Sequence, residues 1–519
     1  MKTQAWNFIN SDPSLLLEIR HGIERETLRV DDKARASAKA HPYNLGHKLT
    51  HKYITTDYSE NLLEFITDVH RSGNELLSQL NEIHAYTYLC LENEYLWPIS
   101  MPAILPSDEK DIPLAYFGDS DVGKLKTLYR SGLGHRYGRS MQSIAGVHYN
   151  FSLTDRFWEA FKIECRDESS LKEFKNKKYF DLIRNFQRYK WMIMYFFGAS
   201  NVVHESFLNG KKHNLSKVNE DTYCDPNAIS LRMGGLGYTS SAQESINICF
   251  NQVETYIDTL ERARLKSYPP YEKIGLKEGD QYKQLNTNLL QIDNEFYSTV
   301  RPKNLARSKE SALMALHQRG IEYIEIRLCD VNPFSPVGIS SEQIGFLQIF
   351  LMWCLVSESS PLSDQECEQN KFNFDQIVKY GLDSKLMLKR KGRDIYAQEW
   401  LKEVLSQMEK VSKIFSQVDP HMSVCFDDYF RKVENPQSLL SARYLDSLRA
   451  KSFDAFHLEL AKQHKSHFKF PTEKKALYET LRDESYHAEK AILTQSNDDF
   501  STFLNEYFEQ IKISEVVNG

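Results

Sequence analysis

Alternation of apolar and polar side chains predicts four strands and places chemistry on one face of each. From His21 to Val30, residues Ile23, Arg25, Thr27 and Arg29 point one way, and Glu24, Glu26, Leu28 and Val30 the other. Leu62, Glu64 and Ile66 share a face of a second strand, and Asp57 stands at the turn before it. Between Met141 and Leu153 the side chains of Val147, Tyr149, Phe151 and Leu153 form a plain core face, opposite His148, Asn150 and Ser152. From Gly320 to Leu328, Tyr323, Glu325 and Arg327 oppose Ile324, Ile326 and Leu328. Leu289 to Tyr297 reads as a further strand or its turn.

Helical spacing accounts for most of the rest. Residues 1–20 read as a short helix leading into the first strand. Amphipathic or apolar helices are expected over Asn74–Glu94, Tyr179–Ser200 and Gln243–Leu265. Ser340 and Gln343 form a capping box that opens a helix, buried on all sides, running through Ile344 to Val356. Leu401, Val404, Leu405, Met408, Val411, Ile414 and Phe415 repeat at helical spacing, in a stretch without a site-like face. The chain is therefore read as α+β, with a catalytic body over residues 1–360 and a helical C-terminal region over 361–519 packed on it as one functional unit. Asp225 to Thr239 is loop-rich, and its clustered glycines either turn the chain or let backbone approach a ligand.

Composition narrows the function class. The chain has 519 residues, 41% of them hydrophobic, enough for a large core. A formal charge of -6, spread along the chain, gives no footprint for nucleic acid or an anionic membrane. The 8 cysteines lack any CxxC pairing, which fits a reducing compartment. The longest apolar run is too short to span a bilayer and the N-terminus lacks a signal-peptide pattern, so a cytoplasmic location is expected, without an obligatory protein partner. Gly118 to Lys124 nearly spells a P-loop, but Leu125 replaces the metal-binding hydroxyl and no strand precedes it, so it is read as chance.

Glu24 with Glu26, Asp57, Glu64, His148, and Glu325 with Arg327 come from strands or strand ends, beside apolar residues. Three of these have an ordinary reading: a solvated edge strand for Glu24 and Glu26, a hydrogen-bonded core histidine for His148, a cross-strand salt bridge for Glu325 and Arg327. If the faces belong to one sheet, the carboxylates converge, and their mutual repulsion calls for cations. Mg²⁺, a hard ion that takes oxygen ligands and phosphates, is the usual solution. Phosphoryl transfer then needs mainly positioning and charge neutralisation, with Arg327 stabilising the moving group. This chemistry reaches metal-dependent use of ATP and stops short of a substrate.

Longer motifs go further. Gly22–Val30, Leu49–Lys52 with Thr55–Asp57, Leu63–Thr67, Gly146–Leu153, and Gly320–Glu325 through Asn332–Pro336 together resemble the proteobacterial glutamate–cysteine ligases, densely over about residues 20–355 and thinly beyond 360. The resemblance implies a curved, mainly antiparallel sheet forming a funnel, related to glutamine synthetase and the guanidino kinases, with helices outside. It implies ATP-dependent ligation of the γ-carboxylate of L-glutamate to the amine of L-cysteine through γ-glutamyl phosphate. A related carboxylate–amine ligase with another acceptor is the alternative, and a non-catalytic nucleotide-binding protein a third reading. It further implies that Glu24, Glu26, Asp57, Glu64, His148 and Glu325 hold two or more Mg²⁺ ions (Mn²⁺ also suits them). Glu325 and Arg327 are then catalytic, Arg232 anchors a substrate carboxylate, and Tyr129, Arg130, Tyr238 and Tyr297 line the cysteine pocket.

Overall fold

The computed structural model describes residues 4–237, 240, 242–307, 310–419, 424–496, 499–510 and 513. Its centre is a seven-stranded sheet: β1 (Ile19–Val30), β2 (Ile54–Thr56), β3 (Leu62–Ile66), β4 (Tyr95–Leu96), β5 (Val147–Leu153), β6 (Val300–Lys303) and β7 (Tyr323–Cys329). The spatial order is β6-β7-β5-β1-β3-β2, with β4 joined to the end of β1, and every pairing is antiparallel. Three small sheets of two or three strands lie outside it.

The sheet has a core face and a polar face. Val147, Tyr149, Phe151 and Leu153 on β5, Ile23 on β1, Leu63 and Phe65 on β3, and Ile324 and Ile326 on β7 are all buried on the first. Helices α1 (Gly73–Cys90), α2 (Asp121–Tyr137), α3 (Leu171–Tyr189), α4 (Trp191–Phe197), α5 (Val253–Leu265), α6 (Ser341–Val356), α7 (Ala397–Val418) and α8 (Lys475–Leu493) surround it. α1 lies against β1 and β3, and α4 against β7. α6 packs on α1, α3 and α7. It is apolar all round because it is enclosed all round, and both bonds of the Ser340–Gln343 capping box are present.

Three expectations change. The helix expected over Tyr179–Ser200 is two helices, α3 and α4, meeting at Lys190. Gln243–Ser245 is a single 3₁₀ turn, and the helix proper begins at Val253. Leu289–Tyr297 is no strand: it holds a 3₁₀ turn, Asp293–Glu295, fixed by side-chain bonds to distant residues. The P-loop-like stretch runs into α2, where the Ser120 hydroxyl caps Gly123, and no strand precedes it.

The core face of β1 also buries charge. Arg29 is wholly buried, donates to both carboxylate oxygens of Glu94 at 3.0 Å, and donates to the carbonyls of Lys39, Ala40 and Glu60. Removing one partner of such a pair leaves an uncompensated charge in the interior. Glu94→Ala should therefore lower the unfolding free energy by about 3 kcal/mol in urea titration. Lys33→Ala, on the exposed turn after β1, should change it by less than about 0.5 kcal/mol.

Candidate active site

Strand register gathers the polar face. In an antiparallel pair, residues directly opposite each other lie on the same side of the sheet. Glu24 opposes His148, Glu26 opposes Glu64, and Glu64 in turn opposes Thr55. Asn150 opposes Gly22 on one side and Glu325 on the other, and Glu325 opposes Arg301. A band of acidic side chains thus crosses the sheet, ending in cations at the β6 edge.

His148 stands in the middle of the band. Its Nδ1 lies 3.2 Å from Glu24 Oε2 and 3.4 Å from Glu325 Oε1, and its Nε2 lies 3.5 Å from Glu26 Oε1. Asn150 Nδ2 donates to Glu24 Oε1 at 2.9 Å, and the Gly146 N–H to Glu26 Oε2 at 2.7 Å. Glu24, His148 and Glu325 each offer a ligand atom within 4.8 Å of the others. Among the described residues, Glu325 Oε2 is buried with no hydrogen-bond partner. Two carboxylates and an imidazole within reach of one another fit a divalent cation.

The charges divide the band in two. Burial disfavours the Glu325 carboxylate, but Arg327, Lys303 and Arg301 outweigh it and hold the group well below the usual carboxylate range. Arg327 Nη1 is hydrogen-bonded to Glu325 Oε1, while Lys303 and Arg301 reach within 3.6 and 3.7 Å of Oε2. Burial and Glu325 push Glu24 upward, but the His148 hydrogen bond and charge and Lys303 leave it lowered. At the other end, burial raises Glu26 against the pull of His148. Glu64 is driven well above the usual range by burial, then by Glu24, Asp57 and Glu26. Asp57 directly follows β2, and the Arg130 side chain from α2 is hydrogen-bonded to its carbonyl.

Arg232 approaches from the glycine-rich loop. It is 1% exposed, donates from Nη2 to the Arg327 carbonyl at 2.9 Å, and lies 3.6 Å from Asp330. Asp330 is itself fixed by the Ala199 N–H at 2.9 Å and the Ser200 hydroxyl at 2.7 Å. A Cβ on Gly146 would come 2.2 Å from Arg232 Nη2, so only glycine admits the guanidinium here. On the far side, Tyr129 and Arg130 lie on α2, and Arg130 covers the Phe117 ring at 4.3 Å. Tyr297 accepts a hydrogen bond from Gln142 at 2.8 Å and packs 5.5 Å from the Tyr137 ring. Tyr238 lies outside the described residues.

The sequence reading had missed several of these groups. Arg301 and Lys303 escaped it because β6 is only four residues long and interrupted by Pro302, which marks an edge strand. Lys126 on α2, lowered to about 8 by burial and Arg130, also faces Glu64, and only its position three residues before Tyr129 could have flagged it. Asp330 follows β7 and pairs with a residue almost a hundred positions away, which no local pattern encodes.

A family model described as glutamate-cysteine ligase matches residues 7–377. The chain is 43% identical over 506 residues to the glutamate–cysteine ligase of Hahella chejuensis, covering 95% of this chain and 96% of that one. It is 40% identical over 509 residues to that of Pseudomonas entomophila, covering 96% of each. Among solved structures, the glutamate–cysteine ligase of Francisella tularensis in complex with AMP matches with a TM-score of 0.89 and 33% identity, over 95% of this chain and 98% of that one. A bifunctional glutathione synthetase from Pasteurella multocida, 23% identical with a TM-score of 0.73, covers 93% of this chain and 58% of that one and is a likeness of fold alone. With most of its length matched by the family model and close relatives along nearly all of it, the chain belongs to the glutamate–cysteine ligase family.

Proposed function

We propose that the acidic band is where this ligase phosphorylates the γ-carboxylate of L-glutamate with ATP and joins it to the amine of L-cysteine. The observation that carries this reading is the convergence of Glu24, Glu26, Glu64, His148 and Glu325 on one sheet face that ends in Arg301, Lys303 and Arg327. Negative floor and positive rim suit a metal-bound triphosphate whose terminal phosphate is transferred. ATP as the nucleotide is also supported by the AMP bound to the relative from Francisella tularensis.

In this reading Glu24, Glu26, Asp57, Glu64, His148 and Glu325 hold two or more Mg²⁺ ions, or Mn²⁺. The ions, when bound, neutralise the phosphates and polarise the γ-phosphoryl group. The glutamate γ-carboxylate oxygen attacks that phosphorus and ADP leaves. The cysteine nitrogen then attacks the acyl carbon, phosphate departs and the amine gives up a proton. Arg327 faces the phosphoryl oxygens, anchored by Glu325. Arg232, fixed by Asp330 and the Arg327 carbonyl, anchors a glutamate carboxylate. Tyr129, Arg130 and Tyr297 line the cysteine pocket, a role the family motif also gives to Tyr238. The sheet curves into a funnel of the glutamine synthetase and guanidino kinase type, so that the acyl phosphate forms away from bulk water. Residues 361–519 act as one unit with the body, as the docking of α7 on α6 and of α8 on the turn at Tyr43–Leu45 suggests. A cytoplasmic location fits the free cysteines, and no helix among the described residues is long and apolar enough to cross a membrane.

The direct test is ADP release that requires glutamate, cysteine and Mg²⁺ together. ADP formation indifferent to both amino acids would sink the reading. Glu325→Gln should cut turnover at least about a hundredfold while circular dichroism stays that of the native chain, because Arg327 and the metal both lose their charged partner. Arg232→Lys should raise the KM for glutamate about tenfold or more, with the cysteine KM little changed, since lysine cannot reproduce a bidentate grip.

Glu64 sets a pH dependence. Its folded-state pKa lies above its unfolded value, so its contribution is fully present below about pH 4.3 and is lost as pH rises through the folded pKa. The metal-free protein should therefore lose stability over that interval, and Mg²⁺ should restore it. The Mg²⁺-induced rise in thermal midpoint should grow with pH, and Glu64→Gln should flatten that growth.

A further inference from the structure

α2 carries two groups of residues two turns apart. Tyr129 and Arg130 reach toward the acidic band, while Arg136 and Tyr137 are tied into the segment that ends at Tyr297. The tie is buried. The side chains of Arg136 and Glu295 are both 0% exposed, with Arg136 Nη1 donating to Glu295 Oε1 at 3.0 Å. Arg136 also donates to Gln284 Oε1 at 2.9 Å and the Asn286 carbonyl at 2.6 Å, and its guanidinium covers the Tyr271 ring at 4.2 Å. Glu295 further accepts from the Tyr137 hydroxyl at 2.7 Å and the Gln291 N–H at 2.6 Å. A Cβ on Gly132 would come 2.1 Å from Gln291 Oε1, so glycine in α2 lets this segment close directly onto the helix.

Gln243 extends the network to Tyr297. Its Nε2 donates to the Tyr137 hydroxyl at 3.1 Å and the Glu295 carbonyl at 3.0 Å, and its Oε1 accepts from the Tyr297 N–H at 2.7 Å. Tyr297 needs such bonds. With Gln243 and Phe296 it borders a cavity of 570 Å³, so close packing restrains it on only part of its surface. Directional bonds fix a side chain that packing holds on one side only.

We propose that Glu295, Arg136 and Gln243 are positioning residues for the acceptor amino acid, setting where Tyr297 stands relative to Tyr129. The inference rests on the reading of those tyrosines as walls of the cysteine pocket. α2 and the Tyr297 segment then move as one jaw. A shift within it changes the fit of the acceptor and leaves the glutamate and nucleotide sites, on Arg232 and the β6–β7 edge, in place.

Gln243→Met removes all three bonds at nearly constant volume. It should raise the KM for cysteine about tenfold, the worth of roughly one hydrogen bond, with the KM values for glutamate and ATP within about twofold of the native enzyme. Glu295→Asp keeps the charge opposite Arg136 but withdraws it by a methylene, and should give the same split should Gln243→Met fold poorly. A merely structural role would lower the active fraction, and with it kcat, and leave every KM alone. An unchanged cysteine KM in both variants, or all three KM values rising together, overturns the proposal. Tyr297→Phe separates the two layers. If it leaves the cysteine KM unchanged, the acceptor-pocket reading itself falls. If it raises that KM while Gln243→Met and Glu295→Asp do not, the pocket stands and the positioning role falls.

Discussion

Negative charge taken out of water and packed on one face of a sheet is the constraint to which the rest of the molecule answers. Glu24, Glu26, Glu64 and Glu325 come from three strands and lie in one band, with His148 touching three of them. Such a cluster is tolerable only if something positive or protonated stands among the carboxylates. Each end of the band meets this need differently. At the β6–β7 edge, Arg301, Lys303 and Arg327 supply protein charge and Glu325 stays ionised. At the β3 end Arg130 and Lys126 face Glu64 without offsetting burial and the neighbouring carboxylates, and its carboxyl is driven upward. The asymmetry gives the face one end held ionised by the protein's own cations and one end where the carboxyl is driven toward its neutral form.

The parts of this arrangement that follow from strand periodicity were legible in the chain itself. β1, β3, β5 and β7 each alternate clearly enough to assign faces, and the paired register brings those faces together as the alternation demands. What escaped has a physical reason in each case. β6 is short, and its cations alternate with only two core-side residues, Val300 and Pro302, one of them a proline. The junction of α3 and α4 at Lys190 has no glycine or proline to mark it, since both flanks remain in helical geometry. The stretch from Leu289 to Tyr297 looked extended because its apolar residues cluster. Its conformation is dictated instead by α2 and Gln243, from distant parts of the sequence. Arg232 could be placed only through the family motif, for its partners Asp330 and Gly146 are remote in sequence.

Among the described residues, the helical region after residue 360 contributes no side chain to the band, yet it reaches the elements that carry it. α8 inserts Ser485, 2% exposed, beneath the loop before β2, where its hydroxyl accepts from the His47 N–H at 2.7 Å and its carbonyl from the Thr50 hydroxyl at 2.5 Å. Tyr486 stacks on Tyr43 at 4.5 Å. That loop leads straight into Ile54–Thr56 and Asp57, so the end of the chain clamps the approach to one of the acidic residues. α7 does the same for the start of the chain, resting on the 3₁₀ turn that feeds β1.

β1 itself is charged on both sides: Arg25 and Arg29 are buried in the core, and Glu24 and Glu26 stand on the polar face. Because side chains alternate, deleting or inserting a single residue upstream of Glu24 would exchange the two sets. Guanidinium groups would project from the polar face in place of the carboxylates, and carboxylates into hydrocarbon beside α1. Few strands punish misalignment so heavily, and the folding chain has correspondingly little ambiguity about how its neighbours must line up against this one.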